Sequence, residues 1–73
     1  MEKLIVEVDG MSCGMCEAHI NNIIRKKFDV KKVKSSHRKG QTIITAKEDI
    51  RDEDLAAAIG EMGYKVLSVT RKN

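Results

Sequence analysis

A chain of 73 residues with a formal net charge of +3 can build only a modest hydrophobic core, worth about 3–5 kcal/mol of net stability unless its packing is unusually regular. One Phe, one Tyr and no Trp make that core aliphatic and argue against a deep aromatic-lined pocket, and so against catalysis on a small organic substrate. Residues Met1 to Val8 alternate charged and apolar, without the continuous apolar stretch of a signal peptide or a membrane span. The expectation is one domain over residues 1–73, soluble and cytoplasmic, with no direct membrane insertion. The Met1 start and the lack of a linker at the tail point mildly to an independent protein.

Leu4, Val6 and Val8 line one face of a half-buried first strand, opposite Lys3, Glu7 and Asp9, and Gly10 ends it. From Cys16 the spacing turns helical: Ile20, Ile23, Ile24 and Phe28 recur at three- and four-residue intervals, which predicts a helix over roughly 14–27. Val30 and Val33 belong to a Lys-rich second strand. Turn chemistry from Ser35 to Gly40 separates it from a third strand, Gln41 to Ala46, so the two form a hairpin. An acidic stretch with Arg51 or Asp52 at the cap opens a second helix whose apolar stripe is Leu55, Ala58, Ile59 and Met62, and Gly63 closes it. Tyr64 to Thr70 reads as a last strand, and Arg71-Lys72-Asn73 as a frayed tail.

The order β-α-β-β-α-β is the split βαβ of the ferredoxin-like α+β class: a four-stranded antiparallel sheet, strands one and three central, with two helices on one face. The topology gathers three segments at one end of the domain: the loop after strand one, the hairpin turn and the Gly63-Tyr64 turn.

The only cysteines, Cys13 and Cys16, sit in Gly10-Met11-Ser12-Cys13-Gly14-Met15-Cys16 at that end. Two thiols three residues apart can turn toward one ion or close into a disulfide. At a helix start, the unpaired N–H groups and the dipole favour their thiolate forms. In a reducing compartment such a pair binds metal or does redox chemistry rather than forming a structural bridge. Soft thiolates without hard oxygen neighbours favour Cu(I), which is satisfied by two sulfurs in near-linear array. A closed Zn²⁺ site wants four N/S ligands, and His19 and His37 are spaced as in no finger pattern, although Asp9 could add an oxygen.

Gly-Met-Ser-Cys-x-x-Cys after the first strand, the split βαβ order, the glycine hairpin and the Gly-Tyr after helix two together resemble the heavy-metal-associated (HMA) domain family, and within it most closely a bacterial cytosolic copper chaperone. The resemblance covers essentially the whole chain. It implies that Cys13 and Cys16 bind Cu(I), that Met11 packs beneath the loop, and that Tyr64 stands near the metal. It further implies transfer of copper to the metal-binding domain of a copper-transporting P-type ATPase or to a copper-responsive repressor. The sequence departs from the family at Asp29, where a Gly is usual, and at Ser35 and His37, which replace apolar residues.

Beside that reading, Met11 is a core residue pinning the loop, with a thioether-ligand role the lesser alternative. Met15, between the cysteines, should be exposed and able to touch metal or a docking partner, and His19, one turn beyond Cys16, could approach the site. Tyr64 reads as both a cap for helix two and a ring shielding the thiolates. Between Arg25 and Lys39 the one acidic residue is Asp29; Arg25-Lys26-Lys27 complement the end of helix one, and His37-Arg38-Lys39 sit at the metal end, where they could steer an acidic partner. Nucleic acid is disfavoured, because the central strands lack the aromatic residues on which bases stack. Other readings are a Zn(II)- or Hg(II)-binding relative, the regulatory metal domain of a transporter, and a thiol–disulfide oxidoreductase. A chain with no proline cannot supply the cis-Pro of a thioredoxin site, so the last is the weakest. A copper-bridged homodimer is compatible with so exposed a pair.

Overall fold

The computed structural model describes residues 2–11 and 14–72. The chain runs β1 (Glu2–Asp9), α1 (Gly14–Lys27), β2 (Val30–Ser36), β3 (Gln41–Ala46), α2 (Asp52–Gly60) and β4 (Lys65–Lys72), the order that the hydrophobic periodicity predicts. The four strands form one antiparallel sheet in the order β2-β3-β1-β4, with β1 and β3 central. This is the ferredoxin-like α+β architecture.

Strand alternation sets which face is covered. Leu4, Val6 and Val8 of β1 and Thr42, Ile44 and Ala46 of β3 are buried, whereas Lys3, Glu7 and Asp9 are exposed. Against the buried face lie Ile20 and Ile24 of α1 and Leu55 and Ile59 of α2, in one aliphatic cluster. Burying each such side chain contributes about 1.5–3 kcal/mol, so this contact rather than helix propensity holds both helices in place.

Register fixes where the ends meet. Glu7 pairs with Gln41 and Asp9 with Lys65, and the Val8 N–H donates to the Gly40 carbonyl at 2.7 Å. The loop after β1, the hairpin turn at 37–40 and the start of β4 therefore share one end of the molecule, as the topology requires.

Some boundaries differ from the sequence reading. Ser35 and Ser36 belong to β2 and not to the turn. Ser35 is buried, where its hydroxyl donates to Asn21 Oδ1 at 2.7 Å and lies 3.0 Å from Thr42 Oγ1, so a polar residue takes an apolar position with its hydrogen bonding satisfied. α2 ends at Gly60 with Glu61 as its C-cap, so Gly63 shapes the turn that follows and does not close the helix, and Met62 lies beyond the helix end, 37% exposed and outside the apolar stripe assigned to it. Arg71 and Lys72 are in β4 rather than a frayed tail: Arg71 pairs with Glu2 at 2.7 Å and with Asp52, and donates to the Ile50 carbonyl at 2.6 Å. Arg51, one of the two cap positions expected, is the N-cap of α2; it makes no side-chain capping bond, so the acidic first turn (Asp52, Glu53, Asp54) is what complements that terminus. The Asp29 backbone N–H donates to Glu48 Oε2 at 2.9 Å, and among the described residues only glycines adopt positive φ.

Candidate metal centre

Gly10 turns the chain out of β1 with φ of +107°, a conformation that side-chain-bearing residues rarely adopt. The position demands glycine for a second reason. A Cβ there would lie 3.2 Å from Cδ1 of Tyr64, so the Tyr64 ring closes directly on the first residue of the cysteine loop. Gly63, at φ of +89°, reverses the chain after α2 and delivers Tyr64 to that spot. The ring is half-buried and packs on the edge of the core.

Met11 is also half-buried against the core, in the loop-pinning position expected of it. Ser12 and Cys13 lie outside the described residues, so the placement of Cys13 and its relation to Cys16 are not part of this geometry. Cys16 is in the first turn of α1 and half-buried. There the backbone N–H groups have no intrahelical acceptor and the positive end of the helix dipole favours a thiolate. A soft cation brought to this turn meets sulfur rather than a cluster of hard ligands. Among the described residues, no three or more His, Cys, Asp or Glu side chains converge on a common point.

Met15 is 69% exposed, as its position between the cysteines suggests. His19 is exposed too; it lines a shallow groove with Asn22, Ile23, Lys26 and the displaced Met62. Its side chain thus belongs to the α1 surface facing the end of α2. His37 is in the hairpin turn and is held by Glu17, the residue after Cys16. Glu17 Oε2 accepts the His37 backbone N–H at 2.7 Å and lies 2.6 Å from the ring Nδ1. The backbone N–H bond, then the ring contact, holds the Glu17 carboxyl below its ordinary 4.5, with Arg38 adding a smaller favourable charge. Sequence reasoning missed this clasp between the first turn of α1 and the hairpin, because the partners are 20 residues apart and neither belongs to a motif; only the shared end of the topology hints at it. The exposed Arg38 and Lys39 are on the same hairpin, at the cysteine end.

Three known proteins illustrate what this chain is similar to. The chain is 34% identical over 65 residues to a mercuric reductase of Lysinibacillus sphaericus, a match covering 89% of this chain but 12% of the reductase. The chain thus spans about an eighth of that enzyme. It is 34% identical over 59 residues to the copper chaperone CopZ of Enterococcus hirae, covering 80% of this chain and 86% of CopZ. A solved chain in the Atx1–Cu(I)–Ccc2a complex shares the fold with a TM-score of 0.77 at 23% identity, over 93% of this chain and 97% of that one. The sequence model of the heavy-metal-associated domain matches residues 5–65, and the chain belongs to the heavy-metal-associated domain family.

Proposed function

We propose that this chain is a cytoplasmic Cu(I) carrier and not an enzyme. Cys13 and Cys16 hold the ion as cargo and hand it on by ligand exchange. An incoming partner thiolate forms a third Cu–S bond and one of the original Cu–S bonds breaks; a second exchange of the same kind frees the other, and the ion stays Cu(I) throughout. The observation that carries this reading is the placement of Cys16, half-buried in the first turn of α1 at the end where Tyr64 closes on Gly10. Tyr64 limits water and competing ligands on one side, while the exposed Met15 leaves the other side open to a partner. Affinity alone would make a sink; an accessible, low-coordinate ion can leave. The likeness to CopZ over most of both chains supports copper as the cargo. The proposed acceptor is the metal-binding domain of a copper-transporting P-type ATPase, with a copper-responsive repressor as the other candidate. The appearance of this fold in the Atx1–Cu(I)–Ccc2a complex supports a protein acceptor.

A second reading has its own support. The match to a mercuric reductase over 89% of this chain favours Hg(II), another two-coordinate thiophilic ion. Transfer separates the two. Reduced protein loaded anaerobically with one Cu(I) should keep it against a chelator that strips Zn²⁺, and should pass it within seconds to an isolated ATPase metal-binding domain. Failure to retain Cu(I) contradicts the copper reading. Rapid passage of Hg(II) to a mercuric reductase, without Cu(I) passage to the ATPase domain, establishes the mercury reading in its place.

A further inference from the structure

We propose that the helix-free face of the sheet is an adsorption surface for anionic lipid headgroups. Strand register lays this face out as rows running across the sheet. The row farthest from the cysteine end reads Lys32, Thr45, Lys3 and Lys72, and the next reads Lys34, Ile43, Ile5 and Thr70. Four exposed lysines thus stand on two adjacent rows that carry no carboxylate. The first acid on this face is Glu7, in the third row, where it accepts a hydrogen bond from Ser68 at 2.9 Å. None of the four lysines is within ion-pair distance of a carboxylate among the described residues, whereas Lys27, Arg51 and Arg71 all are.

The chemistry of the patch selects its occupant. Half-exposed Ile5 and Ile43 sit at its centre, and Lys32, Lys34, Ile43, Thr45 and Lys3 line one shallow depression. No aromatic residue lies in either row, so a single-stranded nucleic acid finds nothing on which to stack its bases. Every cation in the two rows is Lys. A lysine is a point charge on a flexible stem, suited to a diffuse field of headgroups rather than to bidentate recognition of one phosphate or carboxylate. Clusters of four or more such cations are what draw a protein surface to anionic lipid. The two lysine-bearing rows lie at the end of the sheet opposite the turn out of β1 at Gly10, so adsorption through them does not require contact at the cysteine end. A carrier held this way searches for a membrane-bound acceptor in two dimensions.

The test is co-sedimentation of the full chain, at low ionic strength, with vesicles of equimolar phosphatidylglycerol and phosphatidylcholine and with vesicles of phosphatidylcholine alone. Binding is expected only to the first and is abolished by high salt. Lys32→Gln/Lys34→Gln should weaken it about 25-fold, from about fivefold per lysine. Arg25→Gln/Lys26→Gln removes the same charge from α1 and should change it less than about twofold. Circular dichroism checks that both variants fold. No binding of the unaltered chain, or equal losses in the two variants, overturns the proposal. So does tighter binding of a single-stranded RNA that is lost in Lys32→Gln/Lys34→Gln, which assigns the face to nucleic acid. Neither variant touches the cysteines, so Cu(I) titration of the same samples separates failure here from failure of the copper reading.

Discussion

Replacing Gly10 with Ala tests how the cysteine loop is anchored. Two costs add. A φ of +107° is strained for any residue with a Cβ, at about 1–3 kcal/mol. The new methyl, 3.2 Å from Tyr64 Cδ1, must also tilt the ring away from its favoured rotamer, at about 0.5–1.5 kcal/mol. Against these stands about 0.4–1 kcal/mol regained because alanine has less freedom than glycine in the unfolded chain. The net loss is about 2 kcal/mol, which for a domain of this size lowers the melting temperature by about 8–16 °C. Urea and thermal denaturation followed by far-UV circular dichroism measure the loss. The near-UV signal reports the ring directly, since Tyr64 is the sole tyrosine and there is no tryptophan. A double-mutant cycle with Tyr64→Ala divides the two costs. Without the ring, Gly10→Ala should be cheaper by the contact portion, about 0.5–1.5 kcal/mol, and only the backbone strain should remain. A loss below about 0.5 kcal/mol in the unaltered chain would refute the reasoning, because surface changes free of strain fall in that range. An equal loss in both backgrounds would refute the Tyr64 contact alone.

Tyr64→Ala should keep one Cu(I) per chain but release it to a competing chelator several-fold faster, since the ring is proposed as a lid and not as a ligand; unchanged stopped-flow release kinetics would remove Tyr64 from the site. The Glu17 clasp makes a pH prediction. Because the folded chain holds this carboxyl below its ordinary 4.5, the unfolded chain binds more protons in the window beneath that value. The clasp therefore contributes fully above about pH 4.5 and is lost as pH falls through the lower folded value. Glu17→Gln should melt below the unaltered protein at neutral pH, and the gap should narrow as the pH is lowered beneath 4.5. A gap that stays constant over this range would show that the carboxylate charge does not hold the hairpin.

The helical stripe of Ile20, Ile23 and Ile24 and the strict alternation of Leu4, Val6 and Val8 made the element order legible, because core-facing positions recur with the period of the element. Gly10 and Gly63 were legible as turns for the same local reason. What the sequence hid depends on partners far along the chain. Ser35 reads as turn chemistry, and only Asn21 and Thr42 make it acceptable inside a strand. Arg71 looks like a frayed end until Glu2 and Asp52 are brought beside it by β1 and α2. Glu17 and His37 carry no mutual signal, and Lys27, assigned to the helix-one terminus, also reaches Glu61 at 2.5 Å. Met62 fits helical spacing, but α2 ends two residues before it. Met11 packs on the core, Met15 is exposed and Tyr64 packs on the core beside Gly10, while His19 joins the groove with Met62. The role of Cys13 rests on its spacing from Cys16 and on the family.

The claim that Cys13 and Cys16 together hold the metal is tested most directly by anaerobic Cu(I) titration of the reduced protein and its Cys13→Ser and Cys16→Ser variants against a chromophoric Cu(I) chelator. The account predicts that the unaltered chain withdraws one equivalent from the chelator, and that each variant withdraws essentially none while keeping its circular dichroism spectrum, because Cys16 sits in the first turn of α1 outside the buried cluster and Cys13 is proposed as a ligand rather than a core residue. Retention of Cu(I) by either variant with undiminished affinity, or failure of the unaltered chain to compete at all, would contradict it.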